Sequence, residues 1–259
     1  MESNNKHTQK QRAFSENGRR IENLEKFVKA ILNNESKKQN VIHSGFLNMK
    51  LSSGPVTDGF EFDDETEEYN NNKIVQDPAG SAIGTGSSPC GGGASGAIYD
   101  RFCNENKLAP IPDISETKSI FGKYKLDRSN APIIHTHSPS ADGSPEKKKY
   151  RTRFIKQLAT SYRDAINLWL RQINDDSELN LVPLAGSIYA GEFRDDIDGS
   201  RHLHPSYTLI SLLLAISSID IGNTEKFKNY MSKIKLWYFE DTVYDEAQKV
   251  WTNLVSFIQ

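Results

Sequence analysis

The chain is short of cysteine, of long apolar runs and of net charge. Two cysteines in 259 residues, Cys90 and Cys103, cannot make a disulfide framework and suit a reducing compartment. No stretch supplies the roughly 18 uninterrupted apolar residues of a membrane helix. The polar start Met1-Glu2-Ser3-Asn4-Asn5-Lys6 lacks a signal-peptide apolar region. A soluble, cytoplasmic monomer with no membrane partner is expected. Against 34 acidic residues stand 32 basic ones, a formal charge of -2, so the net field gives no support to nucleic acid as a partner. Metal-binding spacing is missing as well. His135 and His137, like His202 and His204, stand two apart and would share a strand face. No Cys-x-x-Cys or His-Glu-x-x-His accompanies them, so neither a metal nor any other cofactor is predicted.

What is present divides into three parts. Residues 1–20 are rich in Asn, Lys, Gln and Glu and predict a disordered tail. In 21–43, Ile21, Leu24, Phe27, Val28, Ile31 and Leu32 recur at helical spacing and predict a helical extension. From 44 to 259 the pattern alternates. Short strands are predicted at Phe46–Leu51, Gly59–Phe62, Lys73–Gln76, Ala131–His137, Leu179–Leu184 and Ile234–Phe239. Lys107–Arg128 shows little periodicity and reads as loop. Phe154, Ile155, Leu158, Tyr162, Ala165, Ile166, Trp169, Leu170 and Ile173 mark a long amphipathic helix, with Lys147, Lys148 and Lys149 as its solvated start. Leu209–Ile219 is apolar nearly all round and predicts a buried helix capped by Ser206. A last helix begins at Asp241. Alternating strands and helices argue for a three-layer α/β/α domain on a mixed, largely parallel sheet.

Two loops stand out at the predicted strand C-terminal ends, where such sheets hold ligands. Cys90-Gly91-Gly92-Gly93-Ala94-Ser95-Gly96 follows a strand and opens a helix. Glycines allow close backbone approach, and the unpaired N–H groups of a helix start favour an anion. The other reading of this run is a flexible linker. The second loop is Ala185-Gly186-Ser187-Ile188-Tyr189-Ala190-Gly191-Glu192-Phe193, followed by the acidic segment Asp195-Asp196-Ile197-Asp198.

In this order the parts resemble a macrodomain, the ADP-ribose-binding α/β module. Gly91–Ile98 is similar to the family's first pyrophosphate loop, Ile133–Thr136 to its central strand, Phe154–Arg163 to the helix after it. Leu184–Tyr189 is similar to the second phosphate loop, and Leu236–Asp241 to the closing strand and helix start. The similarity runs from about Phe60 to Gln259. It implies binding of ADP-ribose or an ADP-ribosylated protein, with the pyrophosphate between Gly92 and Ser187. Ligand contacts are then implied for Asp64, Asp77, Gly80, Gly91, Gly92, Gly93, Ala94, Ser95, Gly96, Gly186, Ser187, Ile188, Tyr189, Ala190 and Phe239. Asp64 would accept from the adenine amino group, or else belongs to a solvated acidic run. Tyr189 and Phe239 would wall the site, or pack as core.

Two departures bear on catalysis. Gly80 stands where the family has an Asn that orients the distal ribose, and Ser95 where many of its hydrolases have an Asp that directs water. Phe102-Cys103 replaces the paired glutamates of poly-ADP-ribose glycohydrolases, which excludes that subclass. Cleavage of an ADP-ribosyl bond passes through positive charge at the anomeric carbon, which a placed carboxylate can assist. The candidates for catalysis are Asp195, Asp196, Asp100 and Glu192. The expected activity is hydrolysis of mono-ADP-ribose from protein, the alternatives being a non-catalytic reader or an unrelated phosphate-binding protein. The Asn- and Lys-rich composition would suit a translocated bacterial effector.

Overall fold

The structure, a computed structural model, describes residues 45–66, 68–79, 93–102, 119–126, 129–144, 147–172, 176–195, 202–219 and 224–258. The disordered-tail and helical-extension readings for 1–20 and 21–43 lie outside the described residues.

The main sheet joins β1 (Lys50–Ser53), β4 (Lys73–Ala79), β5 (Ser119–Leu126), β6 (Ser129–His137), β7 (Glu178–Leu181) and β8 (Ile234–Tyr238) in the order β1-β8-β7-β4-β6-β5. Every neighbouring pair is parallel except β5 with β6. A hairpin of β2 (Phe62–Asp63) and β3 (Glu68–Tyr69) stands apart from it. The helices are α1 (Gly93–Phe102), α2 (Lys148–Gln172), α3 (His204–Ser217), α4 (Thr224–Met231) and α5 (Asp241–Ile258).

Ile74, Val75, Gln76 and Asp77 of β4 are all buried, and so are Ile133, Ile134, His135 and Thr136 of β6. Consecutive buried residues in a strand mean both sheet faces are covered, the signature of a three-layer α/β/α domain. α2 packs on α3 and on β5 and β6, and α3 packs on α5. α1 packs on β4 and on the 3-10 turn Val56–Gly59, on the opposite layer. Asn180 of β7 faces that second layer. Its amide donates to Gly59 O and Ile74 O at 3.2 and 3.3 Å and accepts from Trp237 at 2.9 Å. A Cβ on Gly59 would lie 2.6 Å from Asn180 Cγ, so the turn needs glycine to come this close. α2 buries Phe154, Ile155, Leu158, Tyr162, Ala165, Ile166 and Trp169, the stripe its periodicity predicts.

Several sequence expectations are corrected. Ser119–Leu126, inside the stretch read as loop, is the antiparallel edge strand β5, paired with β6 along its whole length. Its apolar residues are interrupted by Gly122, Lys123 and Lys125, which hides the strand signal. Gly45 and Phe46 belong to a helical turn, and pairing begins only at Lys50. Gly59 ends a 3-10 turn, and only Phe62 and Asp63 form the strand expected there. α3 starts at His204 and not at Ser206; Pro205, with φ fixed by its ring, occupies its first turn, and no side chain caps it. α4 is an element the sequence reading did not single out.

Candidate functional site

β4 and β7 are parallel neighbours, but the chain leaves them in opposite directions. After β4 it passes through α1 to the β5–β6 side, and after β7 through α3 and α4 to β8 on the other side. The chain therefore diverges at the C-terminal edge of the sheet, a topological switch point, which is where α/β sheets place their ligand crevice.

One lip of the crevice is the start of α1. Gly93, exposed, has φ +66° and open space where a Cβ would stand. Ala94 is half-buried, and Ser95 and Gly96 are buried. Ser95 Oγ is buried with no hydrogen-bond partner among the described residues. Toward the C-terminal ends of β4 and β6, Asp77 Oδ2 and His135 Nδ1 lie 2.8 Å apart with both side chains essentially unexposed. Asp77 and His135 are register partners in β4 and β6 and so face the same way. The Asp77 carboxyl thus ties strand ends together inside the sheet. His137, two residues on, presents a buried Nδ1 with no partner among the described residues.

The other lip is the loop after β7, fastened from four elements. Tyr162 of α2 donates its hydroxyl to Val182 O at 2.9 Å and accepts from Leu184 N at 2.7 Å; burial pushes its pKa up. Gln76 of β4 accepts from Val182 N at 3.2 Å and donates to Thr136 at 3.1 Å. Ser138, past β6, accepts from Ala185 N at 2.7 Å. His204 Nε2 of α3 donates to Leu184 O at 2.8 Å, and burial lowers its pKa to about 4 against the partial support of that carbonyl. Ala185 is held at φ +55°, a left-handed conformation that costs a non-glycine residue on the order of 1 kcal/mol and persists where its surroundings enforce it. From Gly186 the chain turns through a 3-10 segment, Ser187–Phe193, kinked at Gly191 with φ +50° and ψ -132°.

The candidate residues are distributed as follows. Gly93, Ala94, Ser95 and Gly96 lie on the first lip, and Gly186, Ser187, Ile188, Tyr189 and Ala190 on the second. Phe239 follows β8 and is 76% exposed. Asp64 is exposed in the turn of the β2–β3 hairpin. Asp100 lies on α1. Gly80, Gly91, Gly92 and Asp196 fall outside the described residues. Glu192 is exposed on the second loop. Asp195 is engaged: its Oδ1 lies 2.7 Å from His202 Nδ1 and its Oδ2 3.4 Å from Arg194 Nε.

The sequence reading missed Tyr162, Ser138 and His204 as supports of the second loop, since long-range bonds leave no local pattern. It also grouped His202 with His204. The structure separates them, because His204 is the first residue of α3 and points inward while His202 turns to Asp195. Among the described residues no group of His, Cys, Asp and Glu is arranged to hold a metal ion. None of the described helices is long and apolar enough to cross a membrane. A surface groove of about 840 Å³ lies elsewhere, along one stripe of α2 that includes Lys148, Lys149, Arg153 and Lys156. Its lining residues are exposed or half-buried, so it lacks the buried polar groups of the crevice.

No family model and no curated protein sequence matches the chain. Among solved structures it is similar to one described as Alphavirus P23pro-zbd, at 11% identity and a TM-score of 0.42 over 79% of this chain. The chain spans 24% of that protein's length. A likeness of that size carries no argument about the site.

Proposed function

We propose that the crevice between the β4 and β7 loops binds ADP-ribose as a macrodomain does, and that the protein hydrolyses mono-ADP-ribose from a modified protein. The observation that carries this reading is the switch point itself, with a glycine-rich helix start on one lip and a clamped, strained loop on the other. Helix starts present unpaired N–H groups and a positive dipole end to an anion. A diphosphate is the ligand that two such loops can hold between them. Ser95 Oγ, buried and without a described partner, is a donor ready for a phosphate oxygen. The adenine end is assigned to Asp64 and the distal ribose to the segment after Gly186. Catalysis falls to the residues from Glu192 to Asp198, because Ser95 brings no carboxylate to the first lip.

The second reading, a non-catalytic reader of ADP-ribosylated partners, is favoured by that same Ser95 and by Gly80. Calorimetric titration with ADP-ribose tests the shared part: saturable binding is expected, and no heat and no competition would overturn both readings. Incubation with mono-ADP-ribosylated protein separates them, since free ADP-ribose is released only by the hydrolase. A protein acting on modified partners in a host cell suits the effector assignment drawn from composition.

A further inference from the structure

We propose that His202, oriented by Asp195, is the general base that activates water in the crevice. The role rests on the hydrolase reading above and goes beyond it by moving the chemistry from a carboxylate to an imidazole. Asp195 Oδ1 lies 2.7 Å from His202 Nδ1, and its Oδ2 lies 3.4 Å from Arg194 Nε. Each carboxylate oxygen thus faces a nitrogen, and Asp195 serves to orient the His202 ring. A carboxylate only accepts, so Nδ1 is the donor of the pair. A neutral ring then carries its lone pair on Nε2, the nitrogen turned away from Asp195. A base whose orientation is fixed by a third group is the arrangement that proton abstraction calls for.

The pair is held in place by the backbone. Asp195 and His202 form an antiparallel bridge, and Leu203 N and His204 N both donate to Arg194 O, at 2.9 and 3.2 Å. His204, two residues past His202, donates its Nε2–H to Leu184 O, on the loop that forms the second lip. A chain of three residues thus joins the ring of His202 to the wall of the crevice. The side chains of Asp195 and His202 are 32% and 28% exposed. That is open enough to meet a water molecule and closed enough to hold one geometry.

In the step assigned here, Nε2 takes a proton from water while the water oxygen bonds to the anomeric carbon of the ADP-ribosyl group. The bond from that carbon to the linking atom of the modified protein breaks, and its electron pair leaves with that atom. The proton then passes from Nε2 to the leaving group or to solvent.

The test compares wild type, His202→Gln, His202→Ala and Asp195→Asn in the full chain. It reads release of ADP-ribose from mono-ADP-ribosylated protein, calorimetric affinity for ADP-ribose, and melting temperature. General-base removal is expected to lower kcat for H202Q by about 100-fold or more, with affinity within about twofold of wild type. Added imidazole should restore part of the rate to H202A, a rescue that a purely structural bridge would not give. D195N should lose less than H202Q. A kcat for H202Q within about threefold of wild type overturns the assignment, as does a loss of rate matched by a loss of affinity with no imidazole rescue. Wild-type protein that binds ADP-ribose and releases none overturns the base together with the enzyme half of the reading, and leaves binding standing. Absence of binding overturns the whole.

Discussion

Asp77–His135 and Asp195–His202 are the same chemical pair, 2.8 and 2.7 Å long, placed in opposite surroundings. The first joins neighbouring strands with side chains 0% and 3% exposed; the second closes a loop with side chains 32% and 28% exposed. Contact length is therefore no guide to what such a pair does. In the interior both partners have given up water, so the pair holds the fold. At the loop each partner keeps access to solvent, and little stability is at stake. The same access frees the second pair for chemistry.

The largest effect should come from breaking the buried pair. Asp77→Ala takes from buried His135 the carboxylate that lies 2.8 Å from its Nδ1, and removal of one member of a buried pair of this kind costs about 3–5 kcal/mol. The midpoint of urea unfolding should fall accordingly. A loss under about 1 kcal/mol would mean that the two pairs are equivalent, and would remove the contrast.

Neither pair was legible as a pair in the sequence, and the reason is physical. Asp77 and His135 meet only because β4 and β6 align in one register, and register depends on the whole sheet. The elements themselves were far more legible. The α2 stripe, the β4, β6, β7 and β8 strands and the two loops follow from local periodicity and turn chemistry, which adjacent residues carry. β5 escaped because Gly122, Lys123 and Lys125 break its pattern, and its partner strand supplies the pairing that its own sequence does not announce. At the site, the glycines and the acidic segment could be read directly. Tyr162, Ser138 and His204, which hold the second loop, could not, since their partners lie 22, 47 and 20 residues away in the chain.

A third histidine sharpens the comparison because its hydrogen bond goes to a backbone carbonyl and not to a carboxylate. His204 hydrogen-bonds the Leu184 carbonyl, and burial lowers its pKa from 6.5 to about 4. The folded state thus refuses a proton that the unfolded state accepts, so no stability is lost above pH 6.5. Stability falls progressively as pH drops from 6.5 toward 4, by about 3 kcal/mol at the lower end. His204→Gln, which can still donate to Leu184 O, should flatten this acid limb when urea midpoints are compared across that range. Parallel limbs for variant and wild type would show that His204 is not the group responsible.

A smaller loss is expected from Tyr162→Phe. The hydroxyl serves Val182 O and Leu184 N together, and leaving both unpaired in a buried site costs about 1–3 kcal/mol. Because these atoms set the second lip, affinity for ADP-ribose should weaken in the same variant. Unchanged affinity beside lowered stability would place the lip's geometry in other hands.

The smallest effect on stability belongs to Asp195→Ala, and it decides whether the loop pair differs in kind from the buried one. A half-exposed side-chain pair of this kind contributes under about 1 kcal/mol, because water competes for both partners. The backbone bonds from Leu203 and His204 to Arg194 O do not involve the Asp195 side chain, so these three residues should keep their places when the carboxylate is removed. The urea midpoint should therefore move little while hydrolysis slows, because His202 loses the group that fixes its ring. A midpoint shift as large as that of Asp77→Ala would make both pairs structural and return the search for the base to Glu192 and Asp196.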